Sequence, residues 1–244
     1  MNPKVLVCVL HCDRKWHNRM HSVKSICNLD YDNYEVYLNI ETIPENVSYN
    51  RWNDLITGFT DNGKTLHYDY WHYESSWHKK PQFDQDQARL VPIVRGRNDS
   101  IECALDVGAE YILFVDSDMV IPPNTIKKLM SHNKPMVGGF VKGRNDHKTA
   151  SYIFGNERGL VDLSNDLVEC DHGNIGFVLI KKEVFEILKF RRGRSQRKGN
   201  LQSDDPNYCE DAEILGFGRH VVDKSVKAEH IDETQIPFGN GAQY

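Results

Sequence analysis

Short uninterrupted apolar runs alternate along this chain with stretches in which apolar residues recur every three or four positions. Lys4–Leu10 is a β-branched run suited to a strand covered on both faces. From His11 to Arg14 the chain turns polar, and a helical segment to about Asn28 follows. Val36, Leu38 and Ile40 alternate with Tyr37 and Asn39, predicting a second strand that ends at Glu41 and Pro44. The segment from about Pro44 to Asp84 shows no clear period. A helix is expected from about Pro92 to Val107, with Ile93, Arg97, Ile101, Ala104 and Leu105 on one face and Gly108 as its C-terminal cap.

Tyr111–Val115 is the most strand-like run, and Asp116-Ser117-Asp118 ends it. Pro122-Pro123 opens a helix through Ile126, Leu129 and Met130. Met136–Val141 and Phe177–Ile180 read as strands, Lys182–Leu188 as a helix, and no internal repeat occurs. This alternation predicts an α/β fold, with a mainly parallel sheet and helices on both faces. The basic run Phe190–Gly199 is expected to form a mobile, solvated loop.

The length of 244 residues suits a single domain able to bury a substantial core. A formal net charge of −5 argues against nucleic-acid binding over the whole surface. No run is apolar and long enough to cross a bilayer, and Met1-Asn2-Pro3-Lys4 leads into a strand without a cleavage signal. Cys8, Cys12, Cys27, Cys103, Cys170 and Cys209 form no Cys-x-x-Cys pair, so reduced thiols and a cytoplasmic location are expected.

Ligands of open parallel sheets collect beyond the carboxyl ends of the strands, where Asp116 and Asp118 are expected. Two residues apart on an extended chain, their carboxylates can face one way. Such hard oxygen donors suit Mg²⁺ or Mn²⁺. Solvated loop residues, or a cap on the turn toward Pro122, would account for the same letters. Haloacid-dehalogenase-like phosphatases also place Asp-x-Asp after a strand, which would make Asp116 a nucleophile. Their pair stands on the first strand, however, and here Asp204-Asp205 precedes Pro206 in a polar stretch with no strand before it. A non-catalytic nucleotide-sugar-binding module is the third reading.

Several segments together resemble GT-A glycosyltransferases, in particular the large inverting family and its phage and bacterial relatives. They are Lys4–Leu10, Arg97-Asn98, Tyr111–Asp118, Gly173–Phe185, Glu210-Asp211 and Glu229-His230-Ile231, in family order. The resemblance implies one GT-A (Rossmann-like) domain over residues 1–244. Its nucleotide-binding half runs to about residue 118 and its acceptor-binding half from about 119. It implies sugar transfer, with inversion, from a nucleotide-sugar, most often UDP-linked, to an acceptor hydroxyl. That acceptor would be a glycan, a protein, a lipid-linked sugar or a modified nucleobase.

The resemblance further implies that Asp118 binds Mn²⁺ or Mg²⁺ directly, Asp116 contacts ribose or a metal-bound water, and His230 is a third ligand. Ser117 would lie with them at the donor. Asp211, with Glu210 as second choice, resembles the base in an acidic pair that precedes a helix. Only Ala212–Leu215 then separate this pair from Gly216-Phe217-Gly218, where relatives carry a longer helix. Gly173, Asn174 and Gly176 would face the sugar or acceptor. His11, Asp13, Arg14 and Glu41 would lie near the nucleobase and ribose, and Arg97 would contact the donor, although a helical Arg also serves as a structural ion pair.

His67, His72 and His78 have no regular metal-ligand spacing and suit aromatic packing or an acceptor-facing wall with Tyr70, Trp71, Tyr73 and Trp77. The run Arg191–Lys198 could close over the donor diphosphate or attract an acidic acceptor, and is too short to establish nucleic-acid binding.

Overall fold

A computed structural model describes residues 2–12, 19–42, 49–72, 82–141 and 166–231. Its first half comprises β1 (Val5–Cys12), α1 (Arg19–Cys27), β2 (Tyr34–Thr42), α2 (Tyr49–Thr60), β3 (Leu66–His72), α3 (Gln82–Asp106) and β4 (Tyr111–Asp116). There follow β5 (Met119–Val120), α4 (Thr125–Ser131), β6 (Met136–Val141), β7 (Leu167–Cys170), β8 (Phe177–Lys181) and α5 (Lys182–Phe185). The last elements are β9 (Gly193–Arg194), β10 (Leu201–Gln202), α6 (Asp204–Ile214) and β11 (His220–His230).

The main sheet runs β3-β2-β1-β4-β8-β6-β11-β5, with β7 also paired to β11. Strands β3, β2, β1 and β4 are parallel, β8 is antiparallel to both its neighbours, and β6 and β11 are parallel. Alternation along β1 explains its uninterrupted apolar run. Val5, Val7 and Val9 pack with α1 and α2 through Val23, Ile26, Trp52, Leu55 and Phe59. Leu6 and Cys8 face a second core containing Ile101 and Ala104 of α3 and Tyr208, Cys209 and Ala212 of α6. The chain's most apolar strand, β4, is thus covered on both sides, and its end opens at the centre of the sheet.

Four expectations need correction. The region without a period contains α2 and β3: Trp52, Leu55 and Phe59 recur at helical spacing, while β3 is an outer strand exposing Tyr68 and Tyr70. Helix α3 begins ten residues before Pro92 and passes through it. At its other end Gly108 has φ 70°, and Gly108 and Ala109 donate to Leu105 O and Ala104 O, as the cap requires. Glu210 and Asp211 do not precede a helix but lie within α6, whose first turn carries Asp204 and Asp205. The basic run, finally, is a short hairpin, β9–β10, bonded to α6. Asp13, Arg14, Tyr73, Trp77 and His78 lie outside the described residues.

Candidate active site

Strand β4 carries Asp116 at its last position, and Ser117 and Asp118 turn the chain into β5. Ser117 and Asp118 are buried, at 5% and 3% exposure. Three other segments converge on this turn. The Gly173–Gly176 loop enters β8 beside it: Asp116 N–H donates to Gly176 O at 2.8 Å, and Gly176 N–H donates to Asn174 Oδ1 at 2.7 Å. The end of β11 pairs with β5, so that His230 stands opposite Met119 and Ile231 N–H donates to Asp118 O at 2.9 Å. The first turn of α6 brings Asp205, whose Oδ2 meets Ile175 N–H at 3.4 Å.

The two glycines of the loop are explained by space. A β-carbon at Gly176 would lie 2.2 Å from Asp116 Oδ2, and one at Gly173 would lie 2.4 Å from the His220 ring. Both distances are far below contact, so no side chain fits at either position. The close approaches in this structure are therefore to Asp116 and His220. Asn174 shapes the turn through its bond to Gly176.

Arg97 is held against the first turn of α6. It is 5% exposed, and its Nη1 donates to both Asp204 Oδ2 and Asp205 Oδ1. Its neighbour Asn98 clamps the Phe190 backbone, donating to O at 3.0 Å and accepting from N–H at 2.8 Å. Helix α3 thereby fixes the start of α6 and the chain entering the hairpin. Burial by itself would lower Arg97, but the carboxylates of Asp204, Asp205 and Asp116 hold it firmly protonated.

Glu210 and Asp211 serve the hairpin. Asp211 accepts from Arg191 Nε at 2.6 Å, Arg191 Nη2 at 2.8 Å and Gln196 Nε2 at 2.7 Å. Glu210 accepts from Ser195 Oγ at 2.6 Å and Gln196 N–H at 2.8 Å. Although burial works against its charge, these bonds hold the Glu210 carboxyl below its usual range. Both carboxylates are thus engaged with the hairpin, and the α6 acid that reaches the loop beside the β4 turn is Asp205. The sequence held the signal for it: Ser203-Asp204-Asp205-Pro206 combines a serine cap, an acidic first turn and a proline where helices tolerate one.

His11 is buried edge-on against Trp52, with ring centroids 5.5 Å apart. It lines a small, mostly apolar pocket with Val9, Ser22, Leu38, Leu55 and Ser117. Glu41 is in register with Cys12 at the same end of the sheet. His67 is bonded to Glu35 at 2.7 Å, which gives it a local role in the sheet.

Among the described residues, no three His, Cys, Asp or Glu side chains stand together closely enough to hold a metal ion. The charge balance at the β4 turn nonetheless fits a cation. Burial raises Asp116 to about 6; Arg97 and His230 oppose the rise, and Asp118 and Asp205 reinforce it. Asp116 and Asp118 supply carboxylates and His230 an imidazole at the same strand end, and these are donor types that suit Mn²⁺ or Mg²⁺.

Residues 2–150 match the family model described as glycosyltransferase family 25, N-terminal domain. A search of curated proteins gives no match. The fold is similar to A197 from STIV, with TM-score 0.51, 13% identity and coverage of 94% of this chain and 86% of that one. It is also similar to S. aureus TarS 1-349 in complex with UDP-GlcNAc, with TM-score 0.54, 16% identity, and 94% and 59% covered. A third similar structure is GalNAc-T7 with UDP, GalNAc and Mn²⁺, with TM-score 0.60, 12% identity, and 94% and 44% covered. The chain therefore spans less than two thirds of TarS 1-349 and of GalNAc-T7. The family match and these folds overturn the phosphatase reading, and with it Asp116 as a nucleophile.

Proposed function

Since the chain belongs to glycosyltransferase family 25 through its N-terminal domain, we propose that it transfers a sugar from a UDP-linked donor to an acceptor hydroxyl with inversion. The observation that carries this reading is the convergence of Asp116, Asp118, the end of β11 and Asp205 at the tip of the central strand. The neighbours that hold UDP, UDP-GlcNAc and Mn²⁺ support the choice of donor and metal.

Asp116, Asp118 and His230 would hold Mn²⁺ or Mg²⁺. When bound, the ion supplies Lewis-acid stabilisation of charge on the departing diphosphate. Residues up to Asp118 form the nucleotide-binding half, with His11, Ser117 and Glu41 on the side of the base and ribose. Later residues form the acceptor half, where the glycines at 173 and 176 keep the loop thin beside the reacting sugar.

Asp205 is the proposed base, in place of Asp211. Its Oδ1 is fixed by Arg97, and its Oδ2 has a long 3.4 Å contact with Ile175 N–H, which leaves Oδ2 to take the proton. In a single displacement the acceptor O–H gives its proton to Asp205 as its oxygen bonds to the anomeric carbon. The bond to the nucleoside diphosphate breaks on the opposite side.

Among the described residues no helix is long and apolar enough to cross a membrane. We place the enzyme in the cytoplasm on its free thiols at Cys8, Cys27, Cys103, Cys170 and Cys209. The acceptor is taken to be a glycan, a protein, a lipid-linked sugar or a modified nucleobase. A screen of nucleotide-sugars for Mn²⁺-dependent donor hydrolysis tests the reading. Cleavage of a UDP-sugar that stops with chelator supports it, and inertness toward every nucleotide-sugar contradicts it.

A further inference from the structure

The chain is acidic, with net charge −5, yet the ten positions 189–198 hold Lys189, Arg191, Arg192, Arg194, Arg197 and Lys198 and no acid. The fold presents this segment as a closed hairpin. Arg194 pairs with Leu201, Ser195 N–H donates to Asn200 O at 2.8 Å, and Gly199 N–H donates to Ser195 O at 3.0 Å. Much of the attachment to α6 needs no cation, because Glu210 accepts from the Ser195 hydroxyl and from the backbone of Gln196 and Arg197. Asp211 and Glu213 engage Arg191 and Arg197. Arg194 and Lys198 are exposed and make no ion pair among the described residues. The Lys198 ammonium takes no part in holding the hairpin among the described residues, and Arg194 uses one N–H on Gly199 O at 2.6 Å within the turn, which leaves its other donors for a partner.

The hairpin also stands at the acceptor side of the site. From Gln202 at its end to Asp205 is three residues, a span of at most about 11 Å even when fully extended. At the turn, Lys198 is close enough to His172 that, after burial, its charge is the largest influence pushing that imidazole down. His172 immediately precedes Gly173, and its Nδ1 is buried without a partner among the described residues. The cationic hairpin therefore borders both the glycine loop and the helix start that carries the proposed base.

Resting on the proposed transferase reading, we infer that the β9–β10 hairpin docks the acceptor, and that the acceptor is a soluble polyanion bearing phosphate groups near its reacting hydroxyl. Guanidinium groups bind phosphate oxygens through charge-assisted, directional hydrogen bonds. Because the hairpin is bonded along α6, its cations are already in place before the partner arrives. A field of this kind raises the encounter rate and is weakened by salt.

The test uses the full chain, fluorescent inorganic polyphosphate as probe, and anisotropy in chelator across a salt series. Wild type should bind, with affinity falling steeply as salt rises. Arg194→Glu/Lys198→Glu should lose at least about tenfold in affinity and flatten the salt dependence. The charge-matched pair Lys24→Glu/Lys134→Glu should stay within about twofold. Arg194→Gln/Lys198→Gln gives the same comparison should charge reversal disturb folding. Failure of wild type to bind, or equal losses in the hairpin and control pairs, overturns the inference. Tighter binding to anionic lipid vesicles than to polyphosphate overturns it as well and assigns the hairpin to a membrane surface. UDP affinity with Mn²⁺, measured separately on the same proteins, reports on the donor site, so a failure there is distinguishable from a failure of docking.

Discussion

Gly176 lies directly on the carboxylate of Asp116, so close that a β-carbon would sit 2.2 Å from Oδ2. A methyl group there must displace either the carboxylate or the loop entering β8. Gly176→Ala is expected to cost roughly 1–3 kcal/mol of stability, the usual penalty for overpacking. It should also weaken Mn²⁺-dependent UDP binding at least about tenfold, because Asp116 cannot keep its place. Thermal unfolding and calorimetry on one sample check both; unchanged UDP affinity would separate the glycine from the site.

Arg97 joins α3 to Asp204 and Asp205 from a buried position. Arg97→Gln leaves two acids without their cation and is expected to cost roughly 3–5 kcal/mol. Arg97→Lys keeps the charge but not the length and planarity of the guanidinium that set Nη1 between Asp204 and Asp205, so it should restore much of the stability and little of the turnover. Melting temperatures and kcat for the two variants test this. Equal rescue of both properties by lysine would show that charge alone is needed.

The two acidic pairs of α6 are expected to behave differently. Asp205→Asn should keep donor binding and lose transfer by about 10²–10⁴-fold, as for a missing general base. Asp211→Asn removes the partner of Arg191 and Gln196, and should loosen the hairpin while leaving the chemistry at Asp205 intact. Donor affinity, turnover and hydrogen exchange over residues 191–198 distinguish them. Normal turnover in Asp205→Asn would place the base elsewhere.

The contrast between these pairs shows what could be read in advance. The Asp116–Asp118 turn was legible because β4 is buried on both faces and must be apolar throughout, so its polar end stands out. The pairing of His230 with the same turn could be expected through the resemblance alone, since 111 residues of sequence separate Met119 from it in register. The resemblance put a helix after Glu210-Asp211, whereas α6 already starts at Asp204, since a first-turn proline such as Pro206 costs the helix no hydrogen bond. Edge strand β3 was missed because it is half exposed and carries His and Tyr where a central strand would carry Val and Ile. The bond from Arg97 to Asp205 is a contact across 108 residues that no local pattern reveals.

His220 is wholly buried under Gly173 and Gly138, and both its ring nitrogens lack partners among the described residues. Burial lowers its value to about 4, with the Asp205 charge pulling weakly the other way. The unfolded chain binds a proton at about 6.5 that the folded chain refuses until about 4. Stability is therefore expected to rise with pH across that window, by on the order of a few kcal/mol, and to be lost again on acidification. His220→Leu should remove most of that slope in melts taken between pH 4 and 7. An unchanged slope would assign it to other groups.

Calorimetric titration of UDP into wild type and Asp118→Asn, each with Mn²⁺ and with chelator, bears most directly on the metal-bridged donor site. Wild type is expected to bind UDP at least about a hundredfold more tightly with Mn²⁺, close to 3 kcal/mol, and Asp118→Asn to lose that difference. Equal UDP affinity in all four titrations would contradict the account.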